Sequence, residues 1–204
     1  MSNVFNPATG KKLQLKVAND EAIAQFTTLL QAGIYLEAKQ GSSIGEILCS
    51  LPGFTEEYIN KNVQTLFLNG LPEDDPNRQI FGESAVIAAS AAMPGLAGAI
   101  FRKGGIHSSL RTTTDKVPHS TVLKQAANVR IKLFNMIATE RGIDILSGGC
   151  FVKAADLLKF LQYRERVAAR IIYAVSDKEK LNSSQLCWFL ESQTNIHLFI
   201  TKKQ

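Results

Sequence analysis

Two stretches of strict alternation decide what this chain can become. In Lys12-Leu13-Gln14-Leu15-Lys16-Val17 and in Val129-Arg130-Ile131-Lys132-Leu133-Phe134, every second residue is aliphatic. Successive side chains of a strand point to opposite faces, so each run predicts a half-buried β-strand. A chain that holds such strands must build a sheet and cover one side of it.

The covering material is legible between the runs. Asn19 or Asp20 can cap a short helix with Ile23, Phe26, Leu29 and Leu30 on one face, and Gly33 would end it. A further alternating strand begins at Ile34. Ser42 and Ser43 can cap a helix carrying Ile44, Ile47, Leu48 and Leu51, stopped by Pro52-Gly53. Residues 54–62 suggest another turn or short helix, and residues 63–68 a strand that closes on the turn Asn69-Gly70, two residue types that tolerate positive φ. The acidic loop Glu73-Asp74-Asp75 reads as solvated, without a metal ligand pattern. Residues 85–92, small and β-branched between Gly82 and Pro94-Gly95, predict a buried strand.

Beyond residue 120 the strand 129–134 is followed by a short helix, residues 136–140, that should stop near Gly142, and the segment Ile143-Asp144-Ile145-Leu146 ends at Ser147-Gly148-Gly149. The longest helix is expected over residues 153–175. Leu157, Leu158, Leu161, Ala168, Ile171, Ile172 and Val175 fall on one side of a 3.6-residue wheel, and Lys159, Arg166 and Arg170 fall opposite. Ser183 and Ser184 are candidate caps for a helix through Leu190, and residues 196–200 predict a closing strand.

Composition narrows the class. With 204 residues, 45% hydrophobic and 20% charged, the chain can bury one substantial core or two smaller ones. No apolar run approaches the roughly 20 residues of a membrane span, and the first residues lack a basic and apolar leader, so a cytoplasmic location and no membrane contact are expected. Cys49, Cys150 and Cys187 are far apart and form no CxxC pair, so they are read as small apolar groups and not as disulfides or metal ligands. Residues 1–105 carry eight Lys/Arg against ten Asp/Glu, and residues 106–204 carry fifteen against eight. The basic second half has no run of adjacent basic residues, and nucleic acid is not the expected partner.

The order of elements from Ile34 to Gly95, with Val63, Phe67, Asn69, Gly70, Asp75, Gly82, Glu83, Val86, Pro94 and Gly95 at their places, resembles the ubiquitin-like β-grasp sulfur carriers of thiamine and molybdopterin biosynthesis. The resemblance implies a β-grasp fold for under half the chain. It also implies a carrier ending in a free Gly-Gly whose carboxylate becomes a thiocarboxylate. Gly104-Gly105 is present here but 99 residues follow it, so the carrier chemistry would require a cut after Gly105. A helix-like stretch also separates the first two strands where the family has a tight hairpin.

The resulting expectation is an α+β chain: a β-grasp-like unit over residues 1–107, and an α+β unit over residues 108–204 built on the long basic helix, with the seam at residues 108–120. No catalytic constellation and no cofactor emerge. His107 and His119 flank the seam, His197 reads as an edge or surface position, and Cys150 could be activated only at a helix N-terminus. The leading function is a non-enzymatic interaction module that meets a protein partner through an exposed sheet face and the glycine-rich segment Gly95, Gly98, Arg102, Lys103, Gly104 and Gly105. Lys159, Arg166 and Arg170 supply a charged surface. The alternatives are a sulfur carrier activated by cleavage, and a small enzyme or binding protein that holds an anionic ligand.

Overall fold

The computed structural model describes residues 10–92, 95–105 and 126–203. In chain order the first strand is β1 (Lys11–Val17), followed by α1 (Asp20–Ala24) and a 3-10 turn (Thr27–Gln31). Asn19 caps α1, its side chain accepting from the Ala22 N–H at 3.0 Å. Gly33, at φ 114°, then turns the chain into β2 (Ile34–Lys39). A capping box starts α2 (Ile44–Cys49): Ser43 Oγ accepts from Glu46 N, and Glu46 Oε2 accepts from Ser43 N. Thr55 caps α3 (Glu56–Asn62). The hairpin β3 (Thr65–Leu68) and β4 (Leu71–Pro72) turns on Asn69 and Gly70, both at positive φ as their residue types allow. Then come β5 (Ser84–Ser90), α4 (Gly95–Phe101), β6 (Ala126–Phe134), α5 (Asn135–Gly148), β7 (Cys150–Lys153), α6 (Ala154–Tyr163), α7 (Glu165–Ala168), the hairpin β8 (Ile171–Ser176) and β9 (Glu179–Leu181), α8 (Ser183–Ser192) and β10 (Asn195–Lys202). The class is α+β, and among the described residues no helix is long and apolar enough to cross a membrane.

Two compact units form. One, here the terminal unit, joins residues 1–35 to residues 142–204; the other, the middle unit, is residues 36–141. The seam expected at residues 108–120 lies outside the described residues, and strands from either side of it pair: β5 with β6, and β1 with β10. In the terminal unit β1 runs parallel to β10 and antiparallel to β8, β8 to β9 is a hairpin, and β10 is antiparallel to β7. In the middle unit β5 runs parallel to β6 and antiparallel to β3, which forms a hairpin with β4. The pairing scheme is thus the same in both: a hairpin at one edge, then a central parallel pair.

Both alternating runs bury their aliphatic faces. Leu13, Leu15 and Val17 of β1, Ile196, Leu198 and Ile200 of β10, and Val129, Ile131 and Leu133 of β6 are fully buried. Each such side chain contributes about 1.5–3 kcal/mol of transfer free energy. In the terminal unit α1 lies against β10 and α6 against β7, and the Phe26 and Phe160 rings meet at 5.8 Å.

Three expectations are corrected. The long helix over residues 153–175 is instead α6, α7 and then strand β8. Arg164 leaves the helical region at φ −125° and ψ 62°, and the β-branched and aromatic run Ile171-Ile172-Tyr173-Ala174-Val175 pairs antiparallel with β1. Its apolar spacing satisfied a helical wheel, but the partner strand decided the outcome. Residues 143–146 are helical because α5 runs through Gly142. The glycine there is a close-packing position: a Cβ would stand 2.5 Å from Thr27 Cγ2. Finally, α8 is capped by Asn182, not by the serines, in a capping box with Gln185.

Candidate functional site

The alternation that buries Leu13 and Leu15 turns Lys12, Gln14 and Lys16 to the other face of the terminal unit's sheet, and the register brings a defined company beside them. Lys12 is the partner of His197, His197 of Phe151, and Phe151 of Tyr35, so four neighbouring strands contribute one row. The next row sets Phe199 beside Gln14, Gln14 beside Val175, and Val175 beside Lys180. A third sets Thr201 beside Lys16, and Lys16 beside Tyr173. Lys153 shares the face, two residues beyond Phe151. No Asp or Glu occupies any of these positions.

The side chains form a connected layer. The Phe151 and His197 rings stack at 4.3 Å with planes 16° apart, and His197 meets Phe199 at 4.4 Å. Three of the four ammonium groups lie over rings: Lys12 over Phe199 at 4.6 Å, Lys180 over Tyr173 at 4.8 Å, and Lys153 over Tyr35 at 5.6 Å. The fourth, Lys16 Nζ, donates to the Lys202 carbonyl at 3.4 Å, while Gln14 Nε2 donates to Thr201 Oγ1 at 3.2 Å. Lys12 and Lys180 are exposed, Tyr35 is buried, and the other members are half-buried. Burial, with Lys12 nearby, holds the His197 imidazole below its ordinary pKa, so the ring is neutral at pH 7.

Two glycines shape this surface. Gly149 has φ 96°, and a Cβ on it would fall 2.3 Å from Phe199 Cε1; a Cβ on Gly10 would stand 3.3 Å from the Phe151 ring. The chain therefore passes close to two aromatic rings, tightly at Gly10 and, at Gly149, where only glycine allows it. Cys150, next in sequence, is no activated thiol. It sits in β7 opposite Leu198, and burial pushes its pKa up to about 12.

The residues singled out in the sequence lie elsewhere. Gly95, Gly98 and Phe101 belong to α4, whose end is tied down: Lys103 N donates to the Gln64 carbonyl at 2.7 Å, and Gly104, at φ 62°, donates its N–H to Asp74 Oδ2 at 3.3 Å. Gly105 N donates to the Arg102 carbonyl, and a Cβ on Gly105 would stand 3.0 Å from that oxygen. Gly104-Gly105 is thus part of a helix-ending turn. The acidic loop is also engaged: Glu73 Oε1 accepts from Asp75 N, and Asp75 Oδ1 from Asn77 N. Lys159, Arg166 and Arg170 are exposed, but they sit on α6, on α7 and on the link to β8, so no single helix face carries them as a stripe.

Sequence reasoning missed the sheet face although half of it was visible. The alternation of Lys12, Gln14 and Lys16 and that of His197 and Phe199 were legible, but their parallel pairing was not. Phe151 stood in no predicted element, and Tyr173 fell inside the expected long helix. No family model, curated protein or solved structure matches the chain.

Proposed function

We propose that the chain is a non-enzymatic binding module whose contact surface is the lysine and aromatic face of the terminal unit's sheet, and that its ligand is single-stranded nucleic acid. One observation carries the reading: Phe151, His197 and Phe199 adjoin across neighbouring strands among Lys12, Lys16, Lys153 and Lys180, with no carboxylate between them. Unpaired bases present flat π faces that stack on rings, and the phosphates between them seek cations. A duplex hides its base faces, so the preference is for single strands. The absence of a basic run, which pointed away from nucleic acid, does not bear on this face, because its four lysines come from three separate strands.

Fluorescence anisotropy with a labelled oligothymidylate tests the reading. Phe199→Ala should weaken binding by about tenfold, the loss of one stacked base. Lys12→Ala with Lys153→Ala should weaken it further and flatten its salt dependence. Equal binding by both variants and the parent chain would sink the proposal.

A protein partner is the second reading, and it rests on a different observation. Trp188 is 70% and Tyr163 79% exposed on the helices of the terminal unit, and large exposed aromatics are the side chains most enriched at protein contacts. Capture of a partner that is lost in Trp188→Ala but kept in Phe199→Ala would favour it.

A further inference from the structure

The middle unit holds a feature that the proposed function does not use. Its sheet face opposite Ile87, Ile131 and Leu133 carries the cross-strand row Phe67, Ala88, Lys132, and the row beyond it carries Thr65, Ser90, Phe134. In both rows the central strand contributes a small residue between larger ones. The missing volume forms a cavity of about 530 Å3, lined by Phe67, Val86, Ala88, Phe101, Lys132 and Phe134, with Phe101 brought in by α4 at 5.3 Å from the Phe67 ring. Small-molecule sites fall in the range of about 300–1,000 Å3, mostly apolar with a few placed polar groups.

The polar groups here are few and point to one chemistry. Among the described residues Lys132 is the only cation lining the cavity, and no carboxylate pairs with it. Beside it Asn135, at φ 52°, donates from Nδ2 to Ser90 Oγ at 2.8 Å, and both side chains line the same space. Asparagine tolerates this left-handed conformation, which turns the chain from β6 into α5. Thr65, the register partner of Ser90, has a buried hydroxyl without a hydrogen-bond partner. Three phenylalanine rings accept a flat apolar body, and the single ammonium beside amide and hydroxyl groups accepts an anion.

We propose that this cavity binds a small aromatic carboxylate, its ring among Phe67, Phe101 and Phe134 and its carboxylate on Lys132. The site is independent of the nucleic-acid face, which belongs to the other unit.

Calorimetric titration of the full chain with 2-naphthoate, and with the neutral isostere 2-naphthamide, tests the assignment. The carboxylate should bind about tenfold more tightly than the amide, as a charge-assisted contact requires. Lys132→Met should erase that preference while leaving the amide's affinity unchanged, and Ala88→Phe, which fills the cavity floor, should abolish binding of both. Far-UV circular dichroism and thermal melts establish that each variant is folded; should Ala88→Phe not fold, the Lys132→Met comparison stands without it. Failure of the parent chain to bind 2-naphthoate, equal affinity for the two probes, or an unchanged preference in Lys132→Met would each overturn the proposal.

Discussion

The sheets of the terminal and middle units are paired by one scheme and finished in two ways. Each has a hairpin edge beside a central parallel pair, and each buries the aliphatic face of that parallel pair. On the other face the centre of the terminal unit presents Lys12, Gln14 and Lys16, whereas the centre of the middle unit presents Val86, Ala88 and Ser90. Long polar side chains with rings beside them fill their own face and leave charge at the surface. Small residues leave a hollow, which α4 and Phe101 help to enclose. One pairing pattern therefore supports a flat charged contact surface in one unit and an apolar cavity in the other, and the choice lies in the size and charge of three side chains on one strand.

If the buried faces are equivalent, Leu13→Ala and Leu133→Ala should be equally damaging. Each is expected to cost about 2–5 kcal/mol, read as a shift in urea unfolding midpoint at unchanged slope. A large loss in one and a small loss in the other would break the comparison at its root. Gly149→Ala should come next, at about 2–4 kcal/mol. It combines a positive φ with a methyl group driven into Phe199, whereas at Gly53 of the middle unit, also at positive φ, a Cβ would stand 3.1 Å from the flexible Arg141 side chain.

A matched pair of insertions separates the packed inner face of the terminal unit from the hollow of the middle unit. Ala174, fully buried in β8, should tolerate leucine poorly, with a loss of about 1–3 kcal/mol from overpacking. Ala88→Leu should change stability by less than about 0.5 kcal/mol, because its side chain enters existing space. Equal costs would mean that the hollow is not there.

The smallest effect is one of pH. The folded pKa of His197 lies below the unfolded value near 6.5, so in the window between them the unfolded chain binds more protons. Stability from this group is complete above about pH 6.5 and falls as pH drops through the window. His197→Phe should flatten that part of the profile. Tyr58 provides the opposite sign in the middle unit: burial and its hydrogen bond to Glu140 Oε2 at 2.7 Å raise its pKa to about 12, so its contribution is lost as pH rises above about 10.

The sequence was most readable where local chemistry and tertiary demand agree. β1, β2, β3, β5 and β10 announced themselves by alternation or β-preferring residues, and the caps at Asn19 and Ser43 by side chains that satisfy free N–H groups. Reading failed where a partner distant in sequence chose between two adequate periods. Residues 171–175 fit a helical wheel and an alternating strand alike, and β1, more than 150 positions earlier, selected the strand. Gly142 reads as a stop, but Thr27 needs its space. The candidate surface is invisible for the same reason: Lys12, Phe151, Tyr173, Lys180 and His197 meet only through register, which no local pattern encodes. The resemblance to β-grasp carriers drew attention to Gly104-Gly105, whereas the most concentrated chemistry lies in the unit that the resemblance does not cover.

The most direct test of the nucleic-acid reading is the salt dependence of single-strand binding, followed by anisotropy with an oligothymidylate of about twelve nucleotides, within the site sizes of single-strand binding surfaces. Four lysines on the face imply a slope of log affinity on log salt near −3, or a weakening of about fiftyfold between about 50 and 200 mM salt. The same slope should fall toward −1 when Lys12 and Lys153 are both alanine. No detectable binding at the lower salt, or binding whose slope ignores those two lysines, would contradict the assignment of this face.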